Sequence, residues 1–280
     1  MRKYYLENEI GERFSFLNID DGIATADISG HGFSINSDYT KVGDMFVSNY
    51  REDEQGEMEF TVQFIGRHML MRYTDFVNFL NTASELFLVY IPYDNAEYKR
   101  NVDVASVDAG SIDNGVYKAK LKLLCKSMFY STEKSDFVVT VEEAGMTFDF
   151  VWDTWFNDYS NIVCDISNDG HVESAFQIEF AGYVQNPKVQ VFQNGKMIHE
   201  LVFPVTVMQG ERMQYSTLDD DLYIEIIKKD GSKQNLISFL SMENENFFKL
   251  PKGKSELLFA CEGGSLDEVH VKLFKYYKAV

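Results

Sequence analysis

The sequence predicts a mainly β protein of two domains, and three observations carry that expectation. Apolar and polar residues alternate with a period of two in several stretches, which sends successive side chains to opposite faces of a half-buried strand. Asp169-Gly170, Asn194-Gly195 and Asp230-Gly231 stand between apolar runs, and these residue types accept the positive φ of a tight hairpin. The composition is that of a folded strand protein, with 45% hydrophobic and 15% aromatic residues, 4 Pro and no low-complexity tract over 280 positions. That length accommodates two ordinary domains, placed at residues 1–135 and 136–280.

The first element is a hairpin from Lys3 to Phe14, in which Asn8 to Glu12 supply the turn and Tyr4, Leu6, Phe14 and Phe16 alternate with polar neighbours. A second, longer hairpin is expected from Lys41 to Tyr50, through Glu52-Asp53-Glu54-Gln55-Gly56, and back along Glu57 to Ile65. Its return strand sets Met58, Phe60, Val62 and Phe64 on one face and Glu57, Glu59, Thr61 and Gln63 on the other, so the apolar face needs a partner. These four apolar residues are the candidate oligomer interface. A helix is expected near residues 73–88, where Tyr73, Phe76, Val77, Leu80, Ala83 and Phe87 recur at three and four and Thr74 stands as a cap. The apolar run Leu86–Ile91 ends at Pro92.

In the second half, Asn168-Asp169-Gly170 is expected to join 161–166 to 172–180. Asn194-Gly195 joins 188–193 to 196–203, and Asp230-Gly231 joins 222–228 to 232–240. Further strands are expected at 254–261 and 269–277. Many short strands at this spacing suggest a β-sandwich.

The net charge of −18 is spread along the chain, with 14 basic and 21 acidic side chains in residues 1–135. A basic grip on nucleic acid is therefore disfavoured. No apolar run approaches the roughly 20 residues of a membrane helix, and no signal-peptide core follows Met1-Arg2-Lys3. The expectation is a chain folded in a cytoplasm without membrane insertion. Cys125, Cys164 and Cys261 are odd in number, far apart and in apolar contexts, which reads as free thiols.

No catalytic constellation emerges. His31, His68, His171, His199 and His270 are scattered and form no zinc motif. Gly30-His31-Gly32 lacks the third glycine of a dinucleotide loop. Asp165 to Gly170 imitates the start of a calcium loop, but Phe176 stands where the bidentate Glu belongs, so a turn is the better reading. Asp219-Asp220-Asp221 reads as an exposed loop before a cation site. Cofactors and metals are accordingly not expected. Trp152 and Trp155, beside Asp153, Asn157 and Asp158, are the candidates for ligand contact, since sugar faces stack on such rings. Most tryptophans instead cover a core.

The order of elements resembles the distal tail proteins of long-tailed, non-contractile bacteriophages and prophages. The matching residues are Tyr5-Leu6-Glu7-Asn8-x-x-Gly11-Glu12, Gly32-Phe33-Ser34, Tyr39-x-x-x-Gly43-x-x-Phe46, Tyr73-x-x-Phe76-x-x-Phe79-Leu80, Glu97-Tyr98-x-Arg100-x-Val102 and Cys125-Lys126-Ser127-x-Phe129-Tyr130. The resemblance implies a β-sandwich-like first domain with one helix and a long hairpin arm, followed by a galectin-like sandwich. It implies a non-enzymatic hexameric ring at the virion tail tip whose hairpin reaches a neighbouring subunit. Its partners would be the tail tube protein, a tail-associated or tail fibre protein and receptor-binding proteins, with DNA passing through unbound. Acidic side chains on a lumen would repel phosphate. A carbohydrate-binding module and a baseplate adaptor are the competing readings.

Overall fold

A computed structural model describes residues 2–92, 96–138, 162–240 and 245–280. It groups into two units: Met1–Ser131 with Tyr276–Val280, and Thr132–Lys275. The division falls four residues before the expected boundary, and the end of the last strand counts with the first unit.

The first unit is built from β1 (Lys3–Asn8), β2 (Arg13–Ser15), β3 (Ile23–Ser29), β4 (Ile35–Val42), β5 (Met45–Asp53), β6 (Glu57–Ile65), α1 (Met69–Thr82), β7 (Leu86–Ile91), β8 (Tyr98–Asp113), β9 (Val116–Cys125) and the start of β10 (Phe129–Val138). The β1–β2 hairpin is as expected, with Leu6 opposite Phe14. Strand β8 pairs with β7 along its first residues and with β9 along the remainder. The strand order is β2-β1-β7-β8 on one side and β8-β9-β6-β3 on the other.

These two faces close on one core. Phe16 stacks on Phe60 at 4.5 Å with the rings 6° apart, and Tyr4 meets both Phe60 and Tyr90. Helix α1 covers the core from the side, burying Phe76 and Leu80, with Phe76 against Phe14 and Phe64.

The helix starts at Met69 and ends at Thr82, earlier than its apolar periodicity suggested. Thr74 is not a cap: it lies inside the helix and its hydroxyl donates to the Leu70 carbonyl at 3.0 Å. Phe87 belongs to β7, because Ala83 turns extended and the Glu9 carboxylate accepts the backbone N–H groups of Ser84 and Glu85.

The second unit contains the remainder of β10, then β11 (Ile162–Asn168), β12 (Ala175–Gln185), β13 (Lys188–Gln193), β14 (Lys196–Val202), β15 (Thr206–Val207), β16 (Arg212–Leu218), β17 (Asp221–Ile227), β18 (Lys233–Asn235), a short 3-10 turn at Ile237–Phe239, β19 (Gly253–Ala260) and most of β20 (Gly263–Tyr277). One sheet runs β18-β17-β16-β12-β20 and the other β11-β19-β13-β14. Their inner faces share one core that includes Phe176, Phe180, Val191, Phe203, Tyr215, Leu257 and Phe259.

Asn194-Gly195 and Asp230-Gly231 form the expected hairpins. Asn168-Asp169-Gly170 does not, because β11 pairs with β19 and β12 with β16 and β20. The segment crosses between sheets and is pinned by the buried Asn168 amide, which donates to the carbonyls of Val172, Leu250 and Pro251. Cys125 and Cys164 are buried and Cys261 half-buried, and none of the three is in a disulfide. Among the described residues no helix is long and apolar enough to cross a membrane.

Candidate assembly site

The candidate interface residues Met58, Phe60, Val62 and Phe64 lie 0–1% exposed inside their own unit. Their strand β6 is flanked by β3 and β9. Its apolar face meets Tyr4, Phe16 and the α1 residues Tyr73 and Phe76 of the same chain, which leaves nothing for a neighbour to touch. Nor is β6 half of the long hairpin, because β5 pairs with β4 instead.

That β4–β5 pair is the arm. It forms a separate two-stranded sheet whose register runs from Ile35 opposite Asp53 to Val42 opposite Met45. The loop between them is Gly43-Asp44, with Gly43 at φ 64°, as a two-residue II′ turn requires. Asn49 Nδ2 donates to Asp38 at 2.7 Å and Thr40 at 2.9 Å, and the Tyr50 hydroxyl donates to Asn36 at 3.1 Å.

Apolar side chains nevertheless stand in solvent on both faces. Val42 is 59%, Met45 72% and Phe46 68% exposed, and Tyr39, Val47 and Tyr50 are also exposed. An isolated two-stranded ribbon is marginal in water, and a contiguous apolar patch marks an interaction surface.

The root of the arm is fixed from several sides. Glu54 N–H donates to the Ser34 carbonyl at 3.0 Å. Lys278, from the C-terminal segment, reaches both Asp53 oxygens at 2.8 and 2.6 Å and lies 5.8 Å from the Phe33 ring. Gly30 has φ 93°, and a Cβ there would stand 2.0 Å from the Glu57 carbonyl oxygen, so the loop passes β6 as closely as glycine alone permits.

His31 follows, half-buried. Its Nε2 is 3.0 Å from the Tyr4 hydroxyl, and its ring tilts against Tyr4 and Tyr90. Burial, reinforced by Arg2, lowers its pKa from the ordinary value. Gly30-His31-Gly32 is thus the joint between core and arm.

Beside this joint opens a cavity of about 490 Å³ lined by Tyr4, Phe16, Leu17, Ile28, Thr25, Arg2 and His31. Its walls are mostly apolar and its one charged lining residue is Arg2.

The later motif residues serve the scaffold. Arg100 is buried, donates through Nε to the Ser127 carbonyl at 2.6 Å and lies 5.1 Å from the Phe129 ring. Glu7 is held by Arg13 and Lys99; burial opposes its charge, but these two hydrogen bonds prevail and its pKa falls. Among the described residues no group of three or more His, Cys, Asp or Glu converges to hold a metal. Asp219 of the triple-Asp turn pairs with Lys249 at 2.6 Å. Trp152 and Trp155 lie outside the described residues.

The first unit is thus a closed strand core that carries an uncovered arm. Residues 3–126 match the family model described as distal tail protein, N-terminal domain. Over its whole length it is similar in fold to a chain of the phage P2 baseplate in its activated conformation with Ca, at 16% identity, TM-score 0.65 and full coverage of both chains. The same baseplate with Sr gives 17% identity and TM-score 0.64, again with full coverage of both chains. The distal tail protein of SPP1, described as a paradigm of hub adsorption apparatus in phages infecting Gram-positive bacteria, gives 13% identity and TM-score 0.63 over 97% of this chain and 98% of that one. No curated protein matches in sequence.

Proposed function

We propose that the chain is a ring-forming hub at the tip of a phage or prophage tail, with no catalytic step. The first units join through their β4–β5 arms into a closed ring, hexameric as the family resemblance implies. The ring meets the tail tube protein on one side and a tail-associated or tail fibre protein on the other. The second, galectin-like sandwiches dock receptor-binding proteins. DNA passes through without specific binding, which suits a chain of net charge −18. The virion is assembled in the host cytoplasm.

The observation that carries this reading is the arm, which holds nine consecutive exposed residues in β5 on a unit whose other apolar strands are buried. A repeated head-to-tail contact made by such an arm closes into a ring when its rotation allows. The test is mass in solution by light scattering, with negative-stain images, for the full chain and for a variant in which residues 36–52 are replaced by a short Gly linker. Rings from the intact chain and monomers from the variant are expected. Rings that persist without the arm would overturn the reading.

A further inference from the structure

Resting on the ring reading, we propose that the arm tip of one copy inserts into the cavity at the arm root of the next copy. The Val42–Met45 pair enters the apolar part and the Asp44 carboxylate meets Arg2.

Three observations favour this occupant. The cavity of about 490 Å³ has the size of a pocket that encloses a small ligand, and Tyr4, Phe16, Leu17 and Ile28 give it apolar walls. The tip offers matching chemistry: Val42 and Met45 face each other across the two strands and stand 59% and 72% exposed, with the exposed Asp44 in the loop between them. On a chain with 44 acidic and 26 basic side chains, an apolar cavity whose charged lining residue is Arg2 favours a carboxylate over a cation.

Geometry decides which tip can occupy it. His31 lines the cavity four residues before β4 begins, and the eight residues of β4 carry the tip roughly 26 Å away at about 3.3 Å per residue. A tip held that far from its own root cannot reach its own cavity. A second copy supplies it, and because tip and cavity are different surfaces the contact is heterologous and propagates around a ring.

The test uses the full chain with Cys261→Ser as background, since Cys125 and Cys164 are buried. Ile28→Cys marks the cavity and Met45→Cys the tip, joined by a short bismaleimide. A chain carrying both changes is expected to give a covalent ladder. An equal mixture of the two single variants is expected to stop at dimers, and neither single variant should cross-link alone. Asp44→Arg should weaken association roughly tenfold by setting like charges together, and adding Arg2→Asp in the same chain should restore it. Rings without a ladder would overturn this contact and leave the ring reading standing. No ladder and no species larger than a monomer at high concentration would overturn both.

Discussion

Strands β5 and β6 are consecutive, nine residues each, and comparable in apolar content, yet none of β5 is buried while β6 buries every second residue. The difference lies in pattern. In β6 Met58, Phe60, Val62 and Phe64 alternate with polar residues, so their face is covered by the chain's own Tyr4, Phe16, Tyr73 and Phe76. In β5 the apolar residues Met45, Phe46, Val47 and Tyr50 fall on both faces of the ribbon, and no single core could cover both. A regular amphipathic strand is completed within its own fold, whereas an irregular one on a projecting ribbon is left exposed.

The largest effect should separate the two strands. Phe60→Ala opens a cavity in the first unit's core and should cost about 3–5 kcal/mol in urea denaturation. Phe46→Ala should leave the monomer's midpoint within about 0.5 kcal/mol while weakening assembly. Equal losses from both substitutions in the monomer would mean that the arm is packed against its own chain.

Much of this architecture was legible in the sequence. Period two locates β6 and the β1–β2 hairpin, whereas the helical spacing that runs on to Phe87 overreaches into β7, Leu86–Ile91. What misled was the choice of turn. Gly43-Asp44 is itself a hairpin signal, but it sat inside a stretch read as continuous strand, while the acidic run Glu52 to Gly56 looked more like a turn and is only the return from arm to core. The exposed apolar residues lie accordingly in β5 and not in β6, whose apolar face finds its partners far away in sequence. Asn168-Asp169-Gly170 misled for a related reason: a tight turn fixes local geometry but not which sheet the next strand joins. The cavity at the root was invisible to sequence because Arg2, Phe16, Ile28 and His31 share no spacing pattern.

At the joint between the two strands, Gly30→Ala should cost about 1–3 kcal/mol, since a Cβ would stand 2.0 Å from the Glu57 oxygen at a φ of 93°. The loss should show in the unfolding midpoint of the first unit and in faster amide exchange along β3 and β6. A neutral outcome would mean that the arm root moves freely against the core.

A smaller effect is expected from Lys278→Ala, which removes the clamp on Asp53. The pair is partly exposed, at 28% and 36%, so about 0.2–1 kcal/mol is at stake. The change should therefore appear as faster hydrogen exchange in β4 and β5, with β6 unaffected. An equal rise in β6 would tie the arm to the core more tightly than its exposure suggests.

The last effect is a difference in sign between two histidines. His31 is kept neutral by burial and by Arg2, with its pKa lowered, so as pH falls through about 6.5 the unfolded chain takes up a proton that the folded joint resists. Its contribution to stability is complete above that value and declines below it, toward the folded pKa. His270 behaves oppositely. A hydrogen bond to Asp136 raises its pKa against a smaller opposing effect of burial, and Glu268 adds to the rise, so its contribution is present below about 6.5 and is lost as pH rises through the folded value. Titrating both imidazoles by NMR above about pH 5, where most carboxylates are already ionised, should place the His31 midpoint below and the His270 midpoint above the ordinary histidine value. His31→Phe should abolish the acid-side decline in the first unit and leave the His270 titration unchanged. A decline that survived the substitution would locate the acid-sensitive group elsewhere, and not at Glu7, whose lowered pKa confers stability that is lost only at more acid pH.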